Sequence, residues 1–288
     1  MNKRFRRIAA TVAPGCLSIL LLFATAGGAL SQQPKPGPPA GRGIDMHVTE
    51  RLVDASISDD PAVDKMLEAY SPKVRALDNV IGTLSGELRK TGIGGGSLGN
   101  FVTDGMRASA ALKLGKPIDL AITNTGGLRK NLSEGELKER DVFELMPFEN
   151  ALVTMELTGE QVMILLGSVA AGGEAQSGAR ITYVIKADKS SQLETAKLLD
   201  EKGRERKIDP AVTYTILTID YLINRGGEKY KELREGKNSR PLGVTLRDAI
   251  LNYVKSETAA GRAIKANLDG RFVLDKANSV ISGETPLR

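Results

Sequence analysis

Side chains suited to gripping a polar ligand cluster between Ile122 and Val153, in ITNTGGLRKNLSEGELKERDVFELMPFENALV. A short apolar run, Ile118 to Ile122, breaks on Asn124-Thr125-Gly126-Gly127. Paired glycines there permit positive φ, or the close approach of a ligand to bare backbone. Arg129 follows two residues later with a fixed fork of donors suited to phosphate, carboxylate or ribose oxygens. Pro147-Phe148 supplies an aromatic face before the next apolar segment. An amide, two glycines, an arginine and an aromatic ring make a cradle for recognition. The same spacing fits a Gly-rich turn with a solvated arginine, and the residues by themselves leave both readings open.

Bond-breaking chemistry has far less to work with. The chain holds one histidine, His47, and one cysteine, Cys16. A two-metal hydrolytic centre needs several His and Asp ligands, and neither a Ser-His-Asp triad nor a cysteine nucleophile can be assembled. The carboxylate pairs Glu134/Glu136 and Asp59/Asp60 read as cap and surface residues. His47, beside a linker, reads as a solvated loop residue. No cofactor is therefore expected in this chain.

The elements that would position the cradle come after a targeting segment. Lys3, Arg4, Arg6 and Arg7 precede an apolar core from Leu17 to Ala26, and Ala29-Leu30-Ser31 offers a cleavage site. Residues 1–31 thus read as a signal peptide cleaved after Ser31, implying a secreted or periplasmic protein with no membrane association afterwards. The apolar core is shorter than the ~20 residues of a spanning helix. Cys16 lies ahead of it, the wrong order for a lipid-modified cysteine. Of the formal charge of +5, four positive charges precede Ser31, so the remainder carries about +1 and gives no support to nucleic-acid binding. Stability must come from a core, for which 41% hydrophobic content suffices.

Residues 32–58 form a Pro/Gly-rich linker and a weak strand or short helix. Val63, Met66, Leu67, Tyr70, Val74, Leu77 and Ile81 recur at helical spacing, with a kink expected at Ser71-Pro72. Strands are expected at 81–88, 118–122, 152–157, 181–187, 193–199 and 212–217. Helices are expected at 99–114, 158–170 and 242–256, with a helical turn at 141–145. TGIGGGSL, 91–98, reads as a flexible connector, and 200–207 as a charged hairpin. Strands and helices interleave without strict βαβ repeats, which argues for α+β with a mixed sheet.

An ordered set of motifs resembles the C-terminal domain of the 5′-nucleotidases. It comprises Asn124-x-Gly126-Gly127-Leu128-Arg129, Gly135, Asp141-Val142, Pro147-Phe148-x-Asn150, Leu157-Thr158-Gly159, Gln176-Ser177-Gly178 and Asp220-Tyr221-Leu222-x-x-x-Gly226-Gly227-x-x-Tyr230. The resemblance runs from about Asp60 to about Leu274. It implies a layered α/β/β/α domain over residues 59–275, followed by a tail at 276–288, with a nucleoside pocket on its loops. In that family two aromatic rings sandwich the nucleobase, and Phe148 and Tyr230 fall at the matching positions. Asn124 and Arg129 match polar contacts to base and to ribose or phosphate, and Gly126, Gly127, Asn150, Gly226 and Gly227 complete the expected site. The helical segment after Pro61 matches one that leads from the family's catalytic domain.

Three departures stand out. Gly226-Gly227-Glu228-Lys229 has lost the last glycine of a tight turn. Gly92 to Gly96 occupies the place of phosphate-facing arginines. Only Glu232 and Glu235 are candidates for a ribose-contacting carboxylate. The di-metal motifs of the catalytic domain are missing. The resemblance therefore implies a recognition domain for a nucleoside or nucleotide, working with a metallophosphatase chain in trans that carries the divalent metals. A free nucleoside- or nucleotide-binding module, and a remnant fold without a pocket, are the alternatives.

Overall fold

The computed structural model describes residues 48–200 and 202–280. The signal-peptide and cleavage readings, Cys16, His47, most of the linker and the tail from 281 lie outside the described residues. The chain divides into two compact units between Ser58 and Asp59. In the first, residues 48–58 form neither helix nor strand. A turn at Asp54, whose carbonyl accepts from the Ile57 N–H at 3.0 Å, stands where a weak strand or short helix is expected.

The second unit opens with two short helices, α1 (Pro61–Glu68) and α2 (Ser71–Ala76). The Asp60 carboxylate caps α1 by accepting from the Ala62 N–H at 2.8 Å. The expected kink is a full break, because Pro72 lacks an N–H and starts a new helix instead. Neither helix buries a residue.

The chain then runs through β1 (Val80–Leu84), α3 (Gly96–Leu114), β2 (Leu120–Thr123), β3 (Gly135–Lys138), α4 (Glu139–Leu145), β4 (Ala151–Thr158) and α5 (Gly159–Gly172). It continues as β5 (Ala175–Ser177), β6 (Ala179–Ile185), β7 (Ser191–Leu199), β8 (Glu205–Arg206), β9 (Thr213–Ile219), α6 (Asp220–Arg225), α7 (Lys231–Glu235), β10 (Lys237–Thr245), α8 (Leu246–Ala259) and β11 (Phe272–Leu274). A five-stranded sheet has the order β10-β4-β9-β2-β5, a four-stranded sheet β11-β6-β7-β8, and β1 pairs with β3. Both larger sheets are mixed: β2/β9 and β11/β6 are parallel, and the remaining pairs antiparallel. Helices α3 and α8 pack together, α3 lies on β2 and β5, and α5 touches strands of both sheets. The expected class, α+β with a mixed sheet and helices layered on it, is the one observed.

The apolar runs explain the core. Leu120, Ala121 and Ile122 have no exposed surface, and neither do Leu152, Leu157, Ile216, Leu217 and Ile219 on neighbouring strands. Burying each Leu or Ile contributes roughly 1.5–3 kcal/mol. Thr158 closes a capping box at the start of α5, receiving the Gln161 N–H at 3.3 Å and returning its own N–H to Gln161 Oε1 at 3.0 Å.

Two expectations need correction. Residues 237–245 form strand β10, and the final helix begins at Leu246 rather than Leu242. This strand is an edge, largely exposed and interrupted by Pro241, so it lacks the alternation that marks a strand. The 91–98 loop is not a loose connector. Gly92, Gly94, Gly95 and Gly96 all hold φ between 57° and 75°, and the last three are buried. A Cβ on Gly94 would stand 2.3 Å from the Phe272 ring, and one on Gly96 2.8 Å from the Arg89 carbonyl. This run is a packed turn that starts α3 three residues earlier than the expected Gly99.

Candidate functional site

Four strand ends meet at one edge of the five-stranded sheet. Strands β2 and β9 are parallel, so their C-terminal ends point the same way. Strand β4 is antiparallel to β9, with Leu152 opposite Ile219, which brings its N-terminal end to that edge. Strand β10 is antiparallel to β4, with Thr245 opposite Ala151, so the start of α8 arrives there too. Ligands in open sheets collect outside the carboxyl ends of parallel strands, where loops diverge.

A cleft of about 300 Å³ occupies this edge, lined by Asn124, Gly126, Gly127, Arg129, Phe148, Asn150 and Tyr221. Six of the nine expected site residues therefore converge. Asn124 leaves β2, and its carbonyl accepts from the Gly127 N–H at 3.2 Å, closing a tight turn. Neither Gly126 nor Gly127 has positive φ. Positive φ is therefore not the use made of that pair, and a Cβ there would meet nothing nearer than the Asn124 amide at 3.4 Å. The Asn124 Oδ1 is enclosed and has no hydrogen-bond partner among the described residues. A bare acceptor beside a cleft can be satisfied by a ligand donor once the amide turns.

Arg129 is exposed, with Nη1 donating to the Gly126 carbonyl at 3.3 Å and no carboxylate pair among the described residues. No acidic residue lines the cleft, so its one charge is positive. Phe148 and Tyr221 are each 47% exposed, which leaves two aromatic faces on one cleft.

Tyr230 does not line the cleft. It is 4% exposed and belongs to the hydrophobic core, and its hydroxyl donates to Glu174 Oε1 at 3.1 Å. Burial and the neighbouring Glu174 carboxylate push its phenol well above the ordinary range. Gly226 and Gly227 are also absent from the lining. A Cβ on Gly226 would lie 2.3 Å from the Leu222 carbonyl and 2.7 Å from the Tyr230 ring, while Gly227 sits at φ 65°. The segment winds into a helical turn at Gly227–Tyr230 with Tyr230 buried. Glu232 is buried with both carboxylate oxygens unpartnered among the described residues, and Glu235 is exposed. Neither lines the cleft.

Four residues that sequence reasoning did not assign to the site support it. Tyr221 lines it directly, and its signal was an aromatic residue two positions past the end of β9 at Ile219. The Asp220 carboxylate accepts from the Ala151 N–H at 3.1 Å, tying the base of the Phe148 loop to the helix that carries Tyr221. Glu174 accepts from the Thr125 N–H at 2.8 Å and Oγ1 at 3.2 Å, bracing the Asn124 turn from behind. Arg247 reaches the carbonyls of the Phe148 loop from α8. Long-range contacts of this kind leave no mark on local sequence.

Among the described residues no three His, Cys, Asp or Glu side chains converge as metal ligands, and no helix is long and apolar enough to cross a membrane. The family model of the 5′-nucleotidase C-terminal domain matches residues 79–235, more than half of the chain. The trifunctional nucleotide phosphoesterase protein YfkN of Bacillus subtilis (strain 168) is 28% identical over 183 residues, 61% of this chain and 12% of that protein. The cell wall protein Lmo0130 of Listeria monocytogenes is 28% identical over 198 residues, 65% of this chain and 24% of the relative. The crystal structure of a 5′-nucleotidase precursor from Thermus thermophilus superposes with a TM-score of 0.61 at 25% identity, covering 74% of this chain and 43% of that one. The chain thus spans less than half the length of each of these relatives.

Proposed function

The chain belongs to the 5′-nucleotidase C-terminal domain family, and from that premise we propose that it is a nucleoside- or nucleotide-recognition domain for a 5′-nucleotidase-type phosphohydrolase. The observation that carries the proposal is the cleft at the sheet edge, where Phe148 and Tyr221 present exposed rings beside Asn124 and Arg129. Aromatic faces accept any nucleobase by stacking, each contact contributing roughly 1–3 kcal/mol. The Asn124 amide offers donors and an acceptor to a base edge, and the Arg129 guanidinium offers charge-assisted bonds to a ribose or phosphate oxygen.

The residues of this chain do not fit a two-metal hydrolytic centre: it has one histidine, and the described residues hold no ligand cluster. Metal-dependent hydrolysis is therefore assigned to a separate metallophosphatase unit acting in trans, and export by the N-terminal signal is part of the same reading. A surface for such a unit is supported by α1 and α2, where Val63, Met66, Leu67, Tyr70 and Val74 are between 46% and 61% exposed. Monomers seldom leave large contiguous apolar surface open to water.

The test is calorimetric titration with adenosine and AMP, wild type against Phe148→Ala. Micromolar binding that the substitution weakens supports the reading. Equal affinities with the fold intact would remove the stacking role, and no binding to either ligand would leave only the fold. Co-expression with a metallophosphatase tests the second half. Unchanged nucleotidase activity together with no co-purification would favour a free binding module.

A further inference from the structure

We infer that Arg247 is the positioning residue of the cleft: it holds the Phe148 ring in place through the backbone and touches no ligand. The inference rests on the recognition reading above.

The physical problem is that Phe148 has little to hold it. The ring is half exposed, Pro147 has no N–H, and the loop lies between α4 and β4 without secondary structure. Among the described residues, the backbone of residues 147–149 makes one hydrogen bond, from Arg247 Nη2 to the Phe148 carbonyl at 3.3 Å. Arg247 Nε donates to the Met146 carbonyl at 3.0 Å, and the preceding residue's N–H, on Leu246, donates to the Asn150 carbonyl at 2.8 Å. Alternate carbonyls, at 146, 148 and 150, are thus gripped by two consecutive residues at the start of α8.

The guanidinium is itself locked. Arg247 is 7% exposed, its Cζ lies 4.4 Å above the centre of the Phe143 ring, and Nη1 donates to Glu149 Oε1 at 2.8 Å. A planar fork can hold two carbonyls and a carboxylate at once, whereas a lysine ammonium on a flexible stem cannot reproduce that geometry. Burying a charge under a solvent-exposed loop is costly unless each donor is used. Here every donor nitrogen is used, on the segment that presents Phe148.

The test is a double-mutant cycle on the purified protein, with adenosine as probe and chymotryptic cleavage after Phe148, followed by mass spectrometry, as a ligand-free readout. Arg247→Lys should weaken adenosine binding by about tenfold, equivalent to roughly 1.4 kcal/mol, and by no more than about twofold in a Phe148→Ala background. It should also speed cleavage after Phe148 at a temperature where the variant is fully folded. Equal losses in both backgrounds, or unchanged affinity and unchanged cleavage, overturn the inference. If the wild type binds no adenosine, the recognition reading fails and cleavage alone judges Arg247: faster cleavage sustains the positioning role, and unchanged cleavage removes it. Should Arg247→Lys fail to fold, Arg247→Met, which removes the bonds to both carbonyls without burying a charge, replaces it. Unchanged cleavage in that variant overturns the inference.

Discussion

The same dipeptide, Gly-Gly, occurs at 126–127 and at 226–227, each pair near an aromatic residue, and the two pairs do opposite things. At 126–127 the backbone has ordinary φ, a Cβ would meet only the Asn124 amide at 3.4 Å, and the space above the turn is the cleft. At 226–227 Gly226 is pressed against the Leu222 carbonyl and the Tyr230 ring, while Gly227 is exposed and sits at φ 65° with nothing within 4 Å of a Cβ built on it. The first pair leaves bare backbone beside the cleft. In the second pair Gly226 is small because the protein is already there, and Gly227 because its backbone turns to positive φ. Glu174 joins the two regions, with one carboxylate oxygen on Thr125 and the other on Tyr230.

The sharpest way to break this contrast is to truncate the aromatic residues. Tyr230→Ala should lose about 3–5 kcal/mol of stability, as for other large buried rings, measured by chemical denaturation. Tyr221→Ala should stay within about 0.5 kcal/mol of wild type, because its ring is half in water. Similar stability losses for the two would erase the distinction between filled and open turns.

The glycines give a smaller, matched pair of effects. Gly226→Ala should destabilise by about 1–3 kcal/mol through overpacking, while Gly126→Ala should leave the melting temperature close to wild type and impair ligand binding. Isothermal titration and thermal melting of both variants check this. A Gly126→Ala variant that binds adenosine as tightly as wild type would show that the open space is not used.

On the binding side, Tyr221→Ala should cost about 1–3 kcal/mol of nucleoside affinity if its face stacks on a base, with Tyr230→Phe neutral in the same titration. The reverse pattern would return the second ring to position 230. The smallest effect is expected at the bridge. Glu174→Gln should lower stability by about 0.5–1.5 kcal/mol through a weakened hydrogen bond, and should weaken binding slightly because it relaxes the Asn124 turn. A loss of stability without any change in binding would confine Glu174 to the core.

Much of this was legible before folding. The strands at 120–123, 151–158 and 213–219 declare themselves through apolar runs, and Thr158 with Gln161 marks the start of α5. Asn124, Gly126, Gly127, Arg129, Phe148 and Asn150 could be nominated from their motifs and do share one cleft. Strand β10 was hidden because an exposed edge strand carries no hydrophobic alternation, and Arg247 because its partners lie about a hundred residues away.

Secondary-structure periods, family motifs and the scarcity of histidine can all be read from the chain, since each depends on residue identity and local spacing. Which of two tyrosines faces the cleft follows from packing alone. Tyr221 and Tyr230 are nine positions apart, both follow β9, and both sit in motif-bearing segments. The winding of residues 227–230 turns Tyr230 onto Glu174 and into the core, and the β4/β9 register carries Tyr221 to the edge where Phe148 lies. That choice is made by packing between segments distant in sequence, which buries one ring and leaves the other on the cleft.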